Sequence, residues 1–308
     1  MRIPAIDLFR GVSIALMVFF TLINRLGGDS LPDILLHNVP GSLHLGDFVL
    51  PMFLFASGMS LVFFHENRKK KKGMNYALDV VERCGKLALP WVFISLFSSG
   101  EFLGMDELML NILLFIPALI LVRFDEKIIA MAALAICVLY LSLYWTNALP
   151  DFTAHYLGGY PAAVFYLPVM LAGVIAGRRV ERTESMLLPA TITAALLVFL
   201  VPPWKMSASP SFMAISVLLS LATFYAVRNL RENHLEYLGM KPLRYWILMF
   251  VLLGIPLTYY MAFRGENALT GIGWPATLAI SALCIPLLYV ASRALDRLMA
   301  VLRIKFPA

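Results

Sequence analysis

The chain has 308 residues, of which 60% are hydrophobic and only 14% are charged, and its formal net charge is +6. An average soluble domain carries about 25% charged residues, so the composition excludes an ordinary soluble enzyme, a nucleic-acid-binding module and a secreted disulfide scaffold. The apolar runs are continuous rather than alternating, which argues against a porin-type barrel. We therefore expect one all-α domain, residues 1–308, that crosses a membrane several times and binds no nucleic acid.

Ten apolar stretches have the length of membrane-spanning helices, which need roughly 20 residues each. The predicted spans are 5–25, 45–65, 79–98, 105–122, 127–146, 161–178, 186–202, 210–228, 243–262 and 272–292. If the N-terminus is cytoplasmic, the cytoplasmic segments hold 22 of the 25 Lys and Arg residues, and only Arg25, Lys205 and Arg264 lie on the outer side. This asymmetry follows the positive-inside rule and predicts ten spans with both chain ends in the cytoplasm.

The first span carries two ionisable residues, Asp7 and Arg10, three positions apart and therefore on one helical face. An ionisable side chain at membrane depth costs at least ~2.5–3.5 kcal/mol on insertion scales and marks a functional site by default. Two interpretations stay open. The pair could anchor the helix at the cytoplasmic interface, or Arg10 could bind a cytoplasmic anionic ligand while Asp7 holds its orientation.

The loop between the first two spans, residues 26–44, is the polar centre of the sequence. Its polar residues and those that flank it are Asn24, Asp29, Asp33, His37, Asn38, His44 and Asp47. Histidine is the side chain best suited to exchange a proton near neutral pH, so Asn24, His37 and Asp47 form a candidate catalytic group. A loop histidine can also be solvated without a function. Zinc binding by His37, His44 and an aspartate is a further alternative, but no diagnostic spacing is present and we expect no metal.

Two motifs flank this loop. Residues 6–17 read IDLFRGVSIALM and lead to Asn24, and residues 47–51 read DFVLP at the start of the second span. Together they resemble the heparan-α-glucosaminide N-acetyltransferase family. The resemblance implies that His37, ten residues before Asp47, is the catalytic histidine and that Asn24 is the active-site asparagine. Weaker similarities follow at Leu167–Pro168 with Gly173 and Gly177, at Ser209–Pro210–Ser211–Phe212, and at Leu238–Gly239 with Pro242–Leu243.

Several positions depart from the family pattern. The tryptophan expected after the catalytic histidine is Pro40, the asparagine of a later motif is Lys241, and the acidic residue before the sixth span is Ala162. These departures bear on the sugar specificity and leave the acyl-transfer centre plausible. A neighbouring family, the acyltransferase-3 type, has a similar start but places a histidine where this chain has Thr21 or Asn24, so it fits less well.

The resemblance implies a membrane enzyme that moves an acetyl group from cytoplasmic acetyl-CoA to an amine or hydroxyl of an extracytoplasmic sugar or glycan, with an amino sugar favoured. His37 would act as a general base or be acetylated itself, and Asn24 would stabilise the oxyanion or orient the histidine. Asp47 would hold the imidazole of His37, while Arg10 and Asp7 would bind acetyl-CoA.

The expected location is a prokaryotic cytoplasmic membrane, and a homodimer is left open. The main alternative is a multi-span small-solute transporter without acyltransferase activity. It would suit ten spans with proline-broken helices, but the sequence contains no inverted repeat of the kind that transporters use. A structural subunit without activity is a third interpretation, against which the polar cluster at one loop argues.

Overall fold

A computed structural model shows a helical protein. It describes residues 3–27, 31–36, 43–68, 74–96, 107–149, 159–205, 208–230, 233–264 and 273–302, among which no β-strand occurs. The helices are, in chain order, α1 (Pro4–Gly27), α2 (Val49–Arg68), α3 (Met74–Ile94), α4 (Glu107–Leu121), α5 (Glu126–Trp145), α6 (Gly159–Arg178), α7 (Leu187–Leu200), α8 (Pro210–Val227), α9 (Asn233–Met240), α10 (Pro242–Met249), α11 (Ile255–Arg264) and α12 (Trp274–Val301). Short 3₁₀ segments precede α2 (Leu45–Phe48) and α7 (Val180–Met186), and a π-helical turn (Phe250–Gly254) joins α10 to α11.

Each of the ten predicted spans coincides with helical structure. Within the described ranges, seven helical segments are long and apolar enough to cross a membrane, namely Pro4–Gly27, Leu45–Arg68, Glu126–Trp145, Val180–Leu200, Pro210–Val227, Pro242–Tyr260 and Trp274–Val301. Glu107–Leu121 and Ala162–Arg178 are shorter apolar helices. The all-helical membrane architecture is therefore supported, whereas ten crossings and the cytoplasmic placement of both ends stay predictions.

The helix pair α2 and α6 forms the centre of the fold, and glycines allow its close approach. A Cβ atom on Gly58 would lie 2.0 Å from the Met170 carbonyl oxygen, and one on Gly173 would lie 2.2 Å from the Phe55 carbonyl oxygen. Glycine is needed where two backbones approach this closely. The packing role expected for Gly173 and Gly177 is confirmed, since a Cβ on Gly177 would lie 2.7 Å from a backbone oxygen of α2.

A second close contact joins α1 to α9, a helix of eight residues for which no span was predicted. A Cβ on Gly11 would lie 1.8 Å from the Leu235 carbonyl oxygen, and one on Gly239 would lie 1.6 Å from the Asp7 carbonyl oxygen. Sequence patterns missed α9 because it is too short for a span. Its place in the structure depends on contacts with α1, far away in the sequence.

The outer helices α5 and α7 present apolar side chains to the surroundings. Only 11% of the most apolar window of each is buried inside the protein, and Phe199 on α7 is 89% exposed. Large apolar side chains this exposed would be unfavourable in water. These faces are therefore suited to contact with lipid.

Candidate active site

The first polar group surrounds Arg10, near the start of α1. Its Nη1 atom donates to Asp7 Oδ1 at 3.1 Å and to the Gly239 carbonyl oxygen at 2.9 Å, and its Nη2 atom donates to Ser60 Oγ on α2. The ion pair expected between Asp7 and Arg10 is therefore present, with 9% and 17% of the two side chains exposed. The guanidinium ties α1, α2 and α9 together, as an anchor requires. A role toward an anionic ligand stays a prediction.

Two more arginines extend this group into a cationic cluster of Arg10, Arg68 and Arg83. Arg83, on α3, is half-buried and lies over the same Phe64 ring as Arg68. Phe64 follows Ser60, the partner of Arg10, by one turn of α2. The Arg83 guanidinium stands over the Phe64 ring at 4.9 Å, and Arg68 pairs with Asp79 at 2.9 Å. Arg10 and Arg68 are each paired with an aspartate, whereas Arg83 has no carboxylate partner among the described residues. The cationic cluster is therefore a candidate site for an anionic ligand.

The second polar group lies at the other end of α1. Asn24 Nδ2 donates to a carbonyl one turn earlier in α1 at 2.9 Å and to the Leu35 carbonyl at 3.3 Å. Leu35 ends a short 3₁₀ turn and packs in one apolar cluster with Val49 at the start of α2. His37 and the five residues after it lie outside the described residues, so its catalytic position beside Asn24 stays a prediction.

Asp47 forms a buried ion pair in the segment that leads into α2. Its Oδ1 atom lies 3.0 Å from Lys205 Nζ, and the two side chains are 1% and 4% exposed. Its Oδ2 atom accepts the backbone N–H of His44 at 2.9 Å and lies 3.6 Å from His44 Nδ1. That nitrogen is buried and makes no hydrogen bond within the described part of the chain. Asp47, expected to hold the imidazole of His37, thus also stands beside a second histidine.

Lys205 reaches Asp47 because several hydrogen bonds fix the turn between α7 and α8. Ser209 caps α8, with its Oγ accepting backbone N–H groups at 2.9 and 3.3 Å and with Pro210 in the first turn, a favourable start for a helix. The Tyr166 hydroxyl donates to the Lys205 carbonyl at 3.0 Å. Burial lowers the pKa of the Lys205 ammonium, and the nearby Asp47 carboxylate opposes that shift.

An apolar cavity lies between the two polar groups. Its volume is about 70 Å³, and α1, α2, α3, α4 and α10 contribute to its lining. Two lining residues, Ile14 and Leu87, follow Arg10 and Arg83 by one helical turn each. At the other end the lining includes Gly46, the residue before Asp47. The cavity therefore extends from the surroundings of the cationic cluster toward those of Asp47. Along α1, the fourteen residues from Arg10 to Asn24 correspond to about 21 Å.

Two polar side chains, Thr21 and Glu107, interrupt a cavity lining that is otherwise apolar among the described residues. Thr21 lies one turn before Asn24 on α1. Glu107 begins α4 and is near enough to Lys205 to act on its charge. Both belong to the end of the cavity lined by Gly46, so this end can offer hydrogen-bonding groups to a polar substrate.

The sequence interpretation assigned no role to Arg83 or Lys205. Each carried a signal. Lys205 is one of only three cations on the predicted outer side, and Arg83 is a charge inside a predicted span. Both are unusual places for a basic residue in a membrane protein. Neither signal identifies the partner, because Asp47 is 158 positions from Lys205.

No group of three or more His, Cys, Asp or Glu side chains that could hold a metal is found in the described ranges. Since His37 is not among them, the expectation that no metal takes part stays a prediction. The three cysteines of the chain are unpaired thiols at Cys84, Cys137 and Cys284.

Comparison with known proteins bears on the first two thirds of the chain. No curated protein sequence matches it significantly. A family model described as heparan-alpha-glucosaminide N-acetyltransferase, catalytic, matches residues 2–200, which is more than half of the 308 residues. The matched range contains Arg10, Asn24 and Asp47 and ends before Lys205. The chain therefore belongs to the heparan-alpha-glucosaminide N-acetyltransferase catalytic family, a family of acetyltransferases.

Proposed function

We propose that this protein is a membrane acetyltransferase that takes an acetyl group from acetyl-CoA at the cationic cluster and delivers it to a sugar or glycan at the Asn24 end of the cavity. The observation that carries the proposal is the apolar cavity with cations near one end and Asn24, His44, Asp47 and Glu107 near the other. Membership of an acetyltransferase family supports the same reaction type.

The donor would bind with its phosphates toward Arg10, Arg68 and Arg83. Guanidinium groups suit phosphate because they donate several N–H bonds in one plane. Asp7, at 3.1 Å from Arg10, would keep that guanidinium in place. The pantetheine arm, a slender and mostly uncharged chain, would run along the apolar lining and bring the thioester toward Asn24. An apolar passage also keeps water away from the thioester.

In the simplest route, His37 accepts the proton of the acceptor amine or hydroxyl while that group attacks the acetyl carbonyl. A carbon–nitrogen or carbon–oxygen bond forms, the carbon–sulfur bond breaks, and the imidazolium returns the proton to the leaving CoA sulfur. Acetylation of the histidine itself, followed by transfer, is the other route. Asn24 would donate a hydrogen bond to the oxyanion that develops.

His44 is a second candidate for the base, because its imidazole lies beside the Asp47 carboxylate, with Nδ1 3.6 Å from Oδ2, slightly beyond hydrogen-bond distance. The resemblance of the loop motifs assigns the role to His37 instead. Transfer assays with single variants separate these assignments.

Purified wild-type protein is incubated with radiolabelled acetyl-CoA and a panel of amino sugars, neutral sugars and glycans, and labelled product is counted. We expect His37→Ala to lower transfer by at least ~10²-fold, the usual contribution of a general base, with acetyl-CoA binding retained. His65→Gln, near the other end of the bundle, is the matched control and should transfer normally. Loss of activity in His44→Ala with full activity in His37→Ala would contradict the assignment of the base.

Donor binding is tested separately by thermal unfolding in detergent. Acetyl-CoA at 100 times its dissociation constant should stabilise the protein by about 2.7 kcal/mol. We expect Arg83→Gln to reduce this stabilisation, whereas the exposed Arg123→Gln should keep it. If acetyl-CoA neither stabilises the wild-type protein nor supports transfer at any concentration tested, acetyl-CoA is not the donor.

A further inference from the structure

A long groove runs along the exposed side of the protein between α5 and α7, with α6 and α8 between them. Its volume is about 530 Å³. The helices α5 and α7 are the two most exposed of the candidate spans. The groove is therefore on a face suited to lipid, and none of its lining residues lines the apolar cavity.

The length of the groove matches one leaflet of a bilayer. The helices α5 and α8 line it over eleven residue steps, at 126–137 and 210–221. The helices α6 and α7 do so at 168–179 and 186–197 when the adjoining residues Arg179 and Met186 are counted with them. Eleven steps of helix rise by about 16 Å, and half of the hydrocarbon core is about 15 Å. An acyl chain that enters at one interface would thus end near the far limit of the groove.

The two ends of the groove differ in chemistry. One end has Glu126, Lys127, Arg179 and Ser185, and the other has apolar residues such as Leu197. Arg179 Nε lies 2.8 Å from Glu126 Oε2, so these two charges offset each other. Lys127 is exposed, and the described part of the chain offers its ammonium no ion pair or hydrogen bond. The charged end therefore carries one positive charge in excess, next to the Ser185 hydroxyl, which donates to the Arg182 carbonyl at 2.7 Å.

We propose that this groove binds one anionic phospholipid, with an acyl chain along α6 and α8 and the phosphate beside Lys127, Arg179 and Ser185. A cation near an anionic lipid surface contributes about 1 kcal/mol to its binding, whereas the apolar walls accept the acyl chain of any lipid, so the charged end sets the preference. The site is separate from the cavity and independent of the proposed acetyl transfer.

Native mass spectrometry of the delipidated full-length protein tests the proposal, with dioleoylphosphatidylglycerol compared with dioleoylphosphatidylcholine. We expect one phosphatidylglycerol to bind the wild-type protein more tightly than phosphatidylcholine does. Lys127→Gln should weaken phosphatidylglycerol binding about fivefold, the equivalent of one lost cation. Arg182→Gln, an exposed cation on the same side that does not line the groove, is the matched control and should bind as the wild type.

A second variant, Ala190→Trp, fills the groove without changing its charge and should remove the bound lipid. Equal binding of the two lipids with no effect of Lys127→Gln would overturn the proposal, because the lipid would then be unspecific. Retention of phosphatidylglycerol by Ala190→Trp would place it elsewhere. If the delipidated wild-type protein is a dimer and Ala190→Trp is a monomer, a second copy of the chain fills the groove instead of a lipid.

Discussion

Replacing Lys205 by methionine tests the most buried ion pair of the described structure. The Nζ atom of Lys205 lies 3.0 Å from Asp47 Oδ1, and the side chains are only 4% and 1% exposed. Methionine keeps most of the volume of the lysine stem but leaves the Asp47 carboxylate buried without its cation. Removal of one partner of a buried pair costs about 3–5 kcal/mol, mainly because the remaining charge loses its compensation. We therefore expect the free energy of unfolding to fall by that amount.

The assay is equilibrium unfolding in mixed detergent, followed by tryptophan fluorescence. The double variant Asp47→Asn/Lys205→Met removes both charges and keeps an oxygen for the His44 amide, so it should recover to within ~1 kcal/mol of the wild type. Lys86→Met breaks an exposed pair with Glu82 and should cost less than ~1 kcal/mol. A loss below ~1 kcal/mol for Lys205→Met, or a double variant no more stable than the single one, would refute this reasoning.

Four further variants, one of them a control, test packing and chemistry. Gly239→Ala places a Cβ 1.6 Å from the Asp7 carbonyl oxygen and should lower the free energy of unfolding by at least ~2 kcal/mol, because the backbones of α1 and α9 must separate. Gly85→Ala is the control: its Cβ would meet no neighbouring element within 4 Å, so the free energy of unfolding should rise by up to ~1 kcal/mol. Similar values for the two variants would contradict the close packing of α1 and α9. Tyr166→Phe removes the donor to a buried carbonyl and should cost ~1–3 kcal/mol in the same assay, so unchanged stability would count against that bond. If the Asn24 amide donates a hydrogen bond to the oxyanion, Asn24→Ala should lower acetyl transfer by ~10²–10³-fold. Full activity of this variant in the transfer assay would exclude that role.

The sequence predicted the helical segments well because the hydrophobic effect of a bilayer is local. Each span needs an unbroken apolar stretch, and stretches such as 127–146 and 210–228 coincide with α5 and α8 to within one residue at each end. The pairing of Asp7 with Arg10 was also predictable, because a spacing of three residues fixes their relative position on a helix.

The short helix α9 and the far end of α12 were not predicted. The last span was expected to end at 292, but α12 continues to Val301. Its extension carries Asp296, whose carboxylate accepts from Lys241 Nζ at 2.7 Å. The partner lies 55 positions earlier, and no periodic pattern connects such residues. The end of α12 is therefore set by contacts between distant polar residues, which a hydropathy pattern does not contain.

The sequence alone determined the class of the protein, the apolar helices and the family motifs, because composition and local periodicity carry that information. Only the tertiary structure decided what surrounds the candidate site. It brought Lys205 to Asp47, Arg10 to Ser60 and the backbone of α9 to α1, and it left an apolar cavity between the two polar groups. Each of these features joins residues that are distant in the chain. The energies of ion pairs and of close packing depend on distances in space, and the folded helices alone set those distances.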